Sequence, residues 1–147
     1  MNELEELYRE VILDHNRSPR NFGGLDDADR VVNGVNPLCG DKMTLYLKLD
    51  GDRIGDARFE GTGCAISIAS SSLMTERVKG ATVGETLELF DDVHAMLTGA
   101  REPDERMEKL AALAGVRDYP SRVKCASLAW HALKSALSGN DREISTE

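Results

Sequence analysis

The sequence predicts an α+β fold, and two observations carry that expectation. Strand patterns are confined to residues 31–60, whereas helical patterns precede them and fill the C-terminal half. A third observation marks what the fold is organised around. Cys39, Cys64 and Cys125 each lie close to glycine or proline, where a loop meets a predicted element.

The elements follow in chain order. Leu4, Leu7, Tyr8, Val11 and Ile12 recur at helical spacing, with Glu3, Glu5, Glu6, Arg9 and Glu10 off that stripe. Residues 3–14 therefore form an amphipathic helix, expected to dock by its apolar face. Turn formers from Asp14 to Gly24 break the pattern, and His15 is expected to serve the helix terminus or face solvent rather than bind a metal. Residues 31–35 make a short strand. Met43, Leu45, Leu47 and Leu49 alternate with Thr44, Tyr46 and Lys48, as in a strand buried on one face. Asp50-Gly51 turns the chain into a return strand over 53–60, with Ala57 and Phe59 on one face. This antiparallel hairpin is flanked by Cys39 and Cys64 and can bring them to one end of the sheet.

A helix over 64–79 starts at Cys64 and is closed by Gly80. Its Ile66, Ala69 and Leu73 share a line, while Ser67, Ser70, Ser71 and Ser72 form a face for close packing rather than hydroxyl chemistry. Thr82 and Glu85 have capping-box spacing ahead of a helix reaching about residue 99, on which His94 is a surface residue. Pro103-Asp104-Glu105 opens a further helix that buries Met107, Leu110, Ala111 and Ala114 and ends at Gly115. The last helix, about 121–138, sets Ala126, Trp130, Leu133 and Leu137 on a buried line. Lys124, Ser127, His131, Lys134 and Ser138 form its polar line. His131 stands about 240° round this helix from Cys125 and should not reach the same site. Residues 139–147 are polar and expected to fray.

Composition narrows the function. The 147 residues suit a single domain, 1–147, large enough for a core without disulfides. An odd cysteine count, an acidic start and the lack of a long apolar run lead to the expectation of a cytoplasmic protein with reduced thiols and no membrane span. A formal net charge of -8 and 5% aromatic residues argue against a nucleic-acid partner.

Asn36-Pro37-Leu38-Cys39-Gly40-Asp41 presents a thiol and, two residues later, a carboxylate. If Cys39, Asp41, Cys64 and Cys125 meet, they form a set of three thiolates and one carboxylate. Tetrahedral zinc takes such a set, with sulfur at about 2.3 Å and oxygen at about 2.0–2.2 Å. The helix start at Cys64 favours the thiolate that such binding needs. Arg122 and Lys124 can offset the negative charge or be solvated. The alternative is three unrelated core cysteines, since free cysteine is among the most buried residue types.

Four stretches carry a resemblance: Pro19-Arg20-Asn21-Phe22-Gly23, the turn 36–41, Gly63–Ser72, and Arg122–Trp130. Together they resemble the U-type iron–sulfur cluster assembly proteins (IscU/NifU-like), within them the SufU type, over nearly the whole chain. The resemblance implies a SufE/NifU-like α+β fold with a small three-stranded antiparallel sheet packed with helices, and a metal site of Cys39, Asp41, Cys64 and Cys125. In scaffolds of the IscU type a histidine precedes the third cysteine; here that place is Lys124, and an extra helical stretch separates Cys64 from Cys125. Both features look like SufU. That type implies zinc, a sulfurtransferase role with persulfide sulfur taken from a pyridoxal-phosphate cysteine desulfurase (SufS type), and delivery to downstream iron–sulfur scaffold proteins. Cys39 is by resemblance the sulfur acceptor, released when a desulfurase histidine takes its coordination position. Two alternatives stand beside this: a scaffold carrying a transient iron–sulfur cluster on the same cysteines, and a purely structural zinc module.

Overall fold

The computed structural model describes residues 3–139 and 144–145. Helix α1 (Glu3–Arg17) precedes strands β1 (Arg30–Asn36), β2 (Asp41–Asp50) and β3 (Arg53–Thr62). Helices α2 (Ala65–Val78) and α3 (Val83–Leu97), a 3₁₀ segment (Glu105–Val116), helix α4 (Pro120–Leu137) and strand β4 (Ile144–Ser145) follow. The α+β class is as expected. Among the described residues, no helix is long and apolar enough to cross a membrane.

Alternation sets the sheet. Leu45 pairs with Phe59 and Leu47 with Ala57, so all four side chains share one buried face. Near the turn the register slips: Lys48 pairs with Asp56 but Leu49 with Ile54, leaving Gly55 as the extra residue of a bulge that returns Ile54 to the core. Leu73, Met74 and Val78 of α2 and Leu128, Trp130 and Leu133 of α4 complete that core. The serine face of α2 does pack closely. Ser70 Oγ donates to the Ala126 carbonyl at 2.6 Å and accepts from Trp130 Nε1 at 3.1 Å, joining α2 to α4.

Four departures from expectation have local reasons. The sheet has four strands, in the order β3-β2-β1-β4, because Ile144–Ser145 pairs in parallel with β1. Gly34 opens that edge; a Cβ there would stand 3.1 Å from Leu128 Cδ1 and 3.4 Å from Ile144 Cδ1. Residues 140–143 and 146–147 of the stretch expected to fray lie outside the described residues. The second departure is in α1, whose Leu4 and Leu7 stay 54% and 55% exposed while Tyr8, Val11 and Ile12 pack against the core. Third, α1 continues to Arg17, which carries His15 onto α2, where it is fully buried and its Nδ1 lies 2.7 Å from Ser72 Oγ. His15 does not face solvent. Last, residues 105–116 are 3₁₀ rather than α-helical, Glu108 has φ 50, and Gly115 falls inside the segment. Arg77 donates to the carbonyls of Arg106 and Met107, which an α-helix would need for its own ladder. The burial expected of Met107, Leu110, Ala111 and Ala114 is found.

Candidate metal centre

Each candidate donor is placed by a different junction. Asn36 ends β1 and pairs with Asp41 at the start of β2, so Pro37 to Gly40 form the link between them. Cys39 N donates to the Asn36 carbonyl at 3.2 Å, and Gly40, at φ 72, lets the turn close. Leu38 in this turn is 70% exposed, and Cys39 is exposed with it. Lys42 of β2 pairs with Thr62 of β3, which delivers Gly63-Cys64 beside the same turn.

Cys64 is the N-cap of α2, its sulfur accepting from Ser67 N at 3.4 Å. Its own N–H donates to Asp41 Oδ1 at 2.9 Å, and its sulfur lies 4.0 Å from Asp41 Oδ2. Cys125 is not at a helix start as expected, because α4 begins at Pro120 and the cysteine falls in the second turn. There it is 2% exposed, and Asn36 Nδ2 donates to its sulfur at 3.5 Å.

The ligand atoms of Cys39, Asp41 and Cys125 lie within 4.8 Å of one another. Cys64 adjoins them through Asp41 and stands near enough to Cys125 to perturb it. Burial raises the Cys125 thiol well above its ordinary pKa, and Asp41, Cys39 and Cys64 beside it push the same way. Asp41 is 1% exposed, and among the described residues no lysine or arginine forms an ion pair with it. A buried carboxylate amid buried sulfur, without a cation, is costly. A divalent ion with a preference for sulfur and oxygen at these atoms would remove that cost, so the donors present fit zinc. The backbone is shaped to the carboxylate as well: a Cβ on Gly63 would stand 2.5 Å from Asp41 Oδ1.

The structure thus brings together Cys39, Asp41 and Cys125, with Cys64 adjoining, and leaves the histidines elsewhere. His131 packs with Phe90 and His94, ring centroids 5.5 and 5.7 Å away, on the α3–α4 face. Burial first, then His94 and Lys134, lowers the His131 pKa. His94 is exposed, as expected. Arg122 lies over the Tyr119 ring at 5.0 Å, and Lys124 lines a groove of about 490 Å³ with Ser127, His131 and Lys134. Neither pairs with Asp41 among the described residues. The residue missed is Asn36, fully buried against Cys125. Its signal was available, since period-two alternation from Val32 through Gly34 points residue 36 inward.

The chain is similar to known proteins over most of its length. Residues 7–126 match the family described as NifU-like N terminal domain. The chain is 45% identical over 136 residues to the zinc-dependent sulfurtransferase SufU of Bacillus subtilis, covering 91% of each. It is 43% identical over 131 residues to the iron–sulfur cluster assembly scaffold protein IscU of Thermotoga maritima, covering 89% of this chain and 92% of that one. Among solved structures, an iron–sulfur cluster assembly scaffold protein for the SUF system from Fervidobacterium islandicum superposes with a TM-score of 0.83 at 40% identity, covering 90% of this chain and 98% of the other. A nitrogen-fixing NifU-like protein (N-terminal) from Brucella abortus gives 0.82 at 29% identity, covering 93% and 96%.

Proposed function

This chain belongs to the NifU-like N-terminal domain family, and from that premise we propose that it acts in iron–sulfur cluster assembly as a zinc-dependent sulfur acceptor. In this reading Cys39, Asp41, Cys64 and Cys125 hold the metal, Cys39 takes persulfide sulfur from a cysteine desulfurase of the SufS type, and downstream scaffold proteins receive it. The observation that carries the reading is the unequal exposure of the cluster: an exposed Cys39 shares a space of 4.8 Å with the buried Asp41 and Cys125. The 45% identity to a protein named for zinc-dependent sulfur transfer supports it.

Zinc, when bound, supplies a charge without redox chemistry that keeps the thiols ionised. Asp41, Cys64 and Cys125 stay in place because β2, the α2 N-terminus and α4 hold them. The Cys39 thiolate attacks the terminal sulfur of the donor persulfide. The donor's S–S bond breaks, a new S–S bond forms at Cys39 Sγ, and the donor cysteine leaves as a thiolate. No net oxidation occurs. The exposed turn lets a partner's active-site loop approach Cys39 without disturbing the core.

Metal analysis of protein purified without added metal should find one zinc per chain. After brief reaction with desulfurase and cysteine, peptide mass spectrometry with alkylation should find persulfide first on Cys39. Sulfur on Cys64 or Cys125 before Cys39 overturns the acceptor assignment. The relatives named IscU scaffolds, at 43% and 42% identity, support a second reading, a transient cluster on the same cysteines. Visible absorption after anaerobic purification separates the two, since a cluster is coloured and zinc is not.

A further inference from the structure

The sulfurs of the cluster differ in the hydrogen bonds they receive. Cys64 Sγ takes the Ser67 backbone N–H, the ordinary gift of a helix N-terminus. Cys125 lies a turn inside α4, beyond any free backbone N–H, and its donor comes from 89 residues away: Asn36 Nδ2, at 3.5 Å. Among the described residues, no N–H donates to Cys39 Sγ.

Packing does not account for Asn36. The side chain is fully buried and its Oδ1 has no partner among the described residues, so an apolar group of similar size would fill the place without stranding a polar atom. The same residue accepts from Cys39 N through its carbonyl. It therefore touches both the exposed and the buried end of the cluster.

We propose that Asn36 is a positioning residue of the metal centre: its amide donates to Cys125 Sγ, draws charge from that sulfur, and makes it a fixed ligand rather than a nucleophile. An N–H···S bond lowers the electron density that a sulfur offers to an incoming electrophile, and such outer partners orient the ligands they touch. Cys39, without one, remains the more reactive sulfur. This last step rests on the sulfur-acceptor reading; the Asn36–Cys125 contact does not.

The direct test uses the wild-type chain, nitrogen-labelled and loaded with spin-active cadmium in place of zinc. Scalar coupling should pass from cadmium through Cys125 Sγ to an Asn36 side-chain amide proton. Bound cadmium without that coupling overturns the proposal, and no cadmium bound at all overturns the metal reading together with it. In cobalt-loaded protein, Asn36→Leu should move the sulfur-to-cobalt band to longer wavelength and speed metal release to a chelator about tenfold. Asn36→Gln, which keeps a donor, should lie nearer wild type on both. A folded Asn36→Leu with unchanged band and release sinks the assignment; should that variant not fold, the cadmium measurement decides. Failure of sulfur to reach Cys39 while the coupling and band shift stand removes the acceptor reading alone.

Discussion

Cys39 and Cys125 offer sulfur to one cluster from opposite kinds of structure. Cys39 rides a short turn between β1 and β2, beside a largely exposed Leu38 and a left-handed Gly40. Cys125 is sealed in by α4, which packs on α2 and β1. Displacing the turn breaks one backbone hydrogen bond to Asn36, whereas displacing Cys125 means parting helices and sheet. Under the proposed function the contrast lets a small domain bind a cation firmly and still present a reactive ligand: rigidity and reactivity would fall to different residues.

The largest effect should come from removing the buried end. Cys125→Ala takes away a ligand and leaves a small cavity, so it should release zinc and lower stability by about 3 kcal/mol, against about 1 kcal/mol for Cys39→Ala. Denaturant unfolding with metal analysis measures both, and equal losses would erase the contrast. Gly63→Ala is next. Its backbone is not in the left-handed region, yet its Cβ would meet Asp41 Oδ1 at 2.5 Å. The carboxylate must swing aside, so zinc should pass more readily to a chelator at a stability cost of about 1–3 kcal/mol, with the circular dichroism spectrum kept. Unaltered zinc retention would argue that Asp41 is not a ligand.

The third prediction asks how far the rigid side extends. His15 clamps α1 to α2, the helix that carries Cys64, and burial chiefly lowers its pKa below the ordinary 6.5, with Arg20 adding to the shift. A lowered histidine pKa means that the unfolded chain takes up the proton first. The contribution is present above about pH 6.5 and is lost as pH falls toward the folded value. With metal removed, so that protons do not compete with metal for the donors, the melting temperature should fall by about 2–4 °C between pH 7.5 and 5.5. His15→Gln should flatten that slope; an unchanged slope would place the titration elsewhere, with His131 the next group to test. The smallest effect belongs to the turn. Leu38→Ser should change stability by no more than about 0.5 kcal/mol, and a loss above about 1 kcal/mol would show that the turn is tied to the core after all.

The features legible in the sequence were those with a short-range signature. The alternation of residues 43–49 and the Asp50-Gly51 turn placed the hairpin, and Thr82 caps α3 by accepting from Glu85 N as its spacing implied. The site was partly legible for the same reason. A thiol and a carboxylate two residues apart, and a glycine-flanked thiol at a helix start, are local facts. Cys125 is less legible: it reads as a helix-start residue, whereas it is the sixth residue of α4 and lies in the second turn. Asn36 reads in the sequence as a turn residue, and a turn needs no partner across the fold.

By itself, then, the sequence determined the three antiparallel strands, the helices other than the 3₁₀ segment 105–116, and which residue types stand ready at their ends. Those depend on φ/ψ preference and on periods of two and 3.6, which act over a few residues. The tertiary structure alone decided that β4 adds to β1, that His15 is buried, that Asn36 reaches Cys125, and that one sulfur is exposed while another is enclosed. Each of these joins residues far apart in the chain. Their free energy comes from packing and desolvation at contacts that exist only once the whole core has closed.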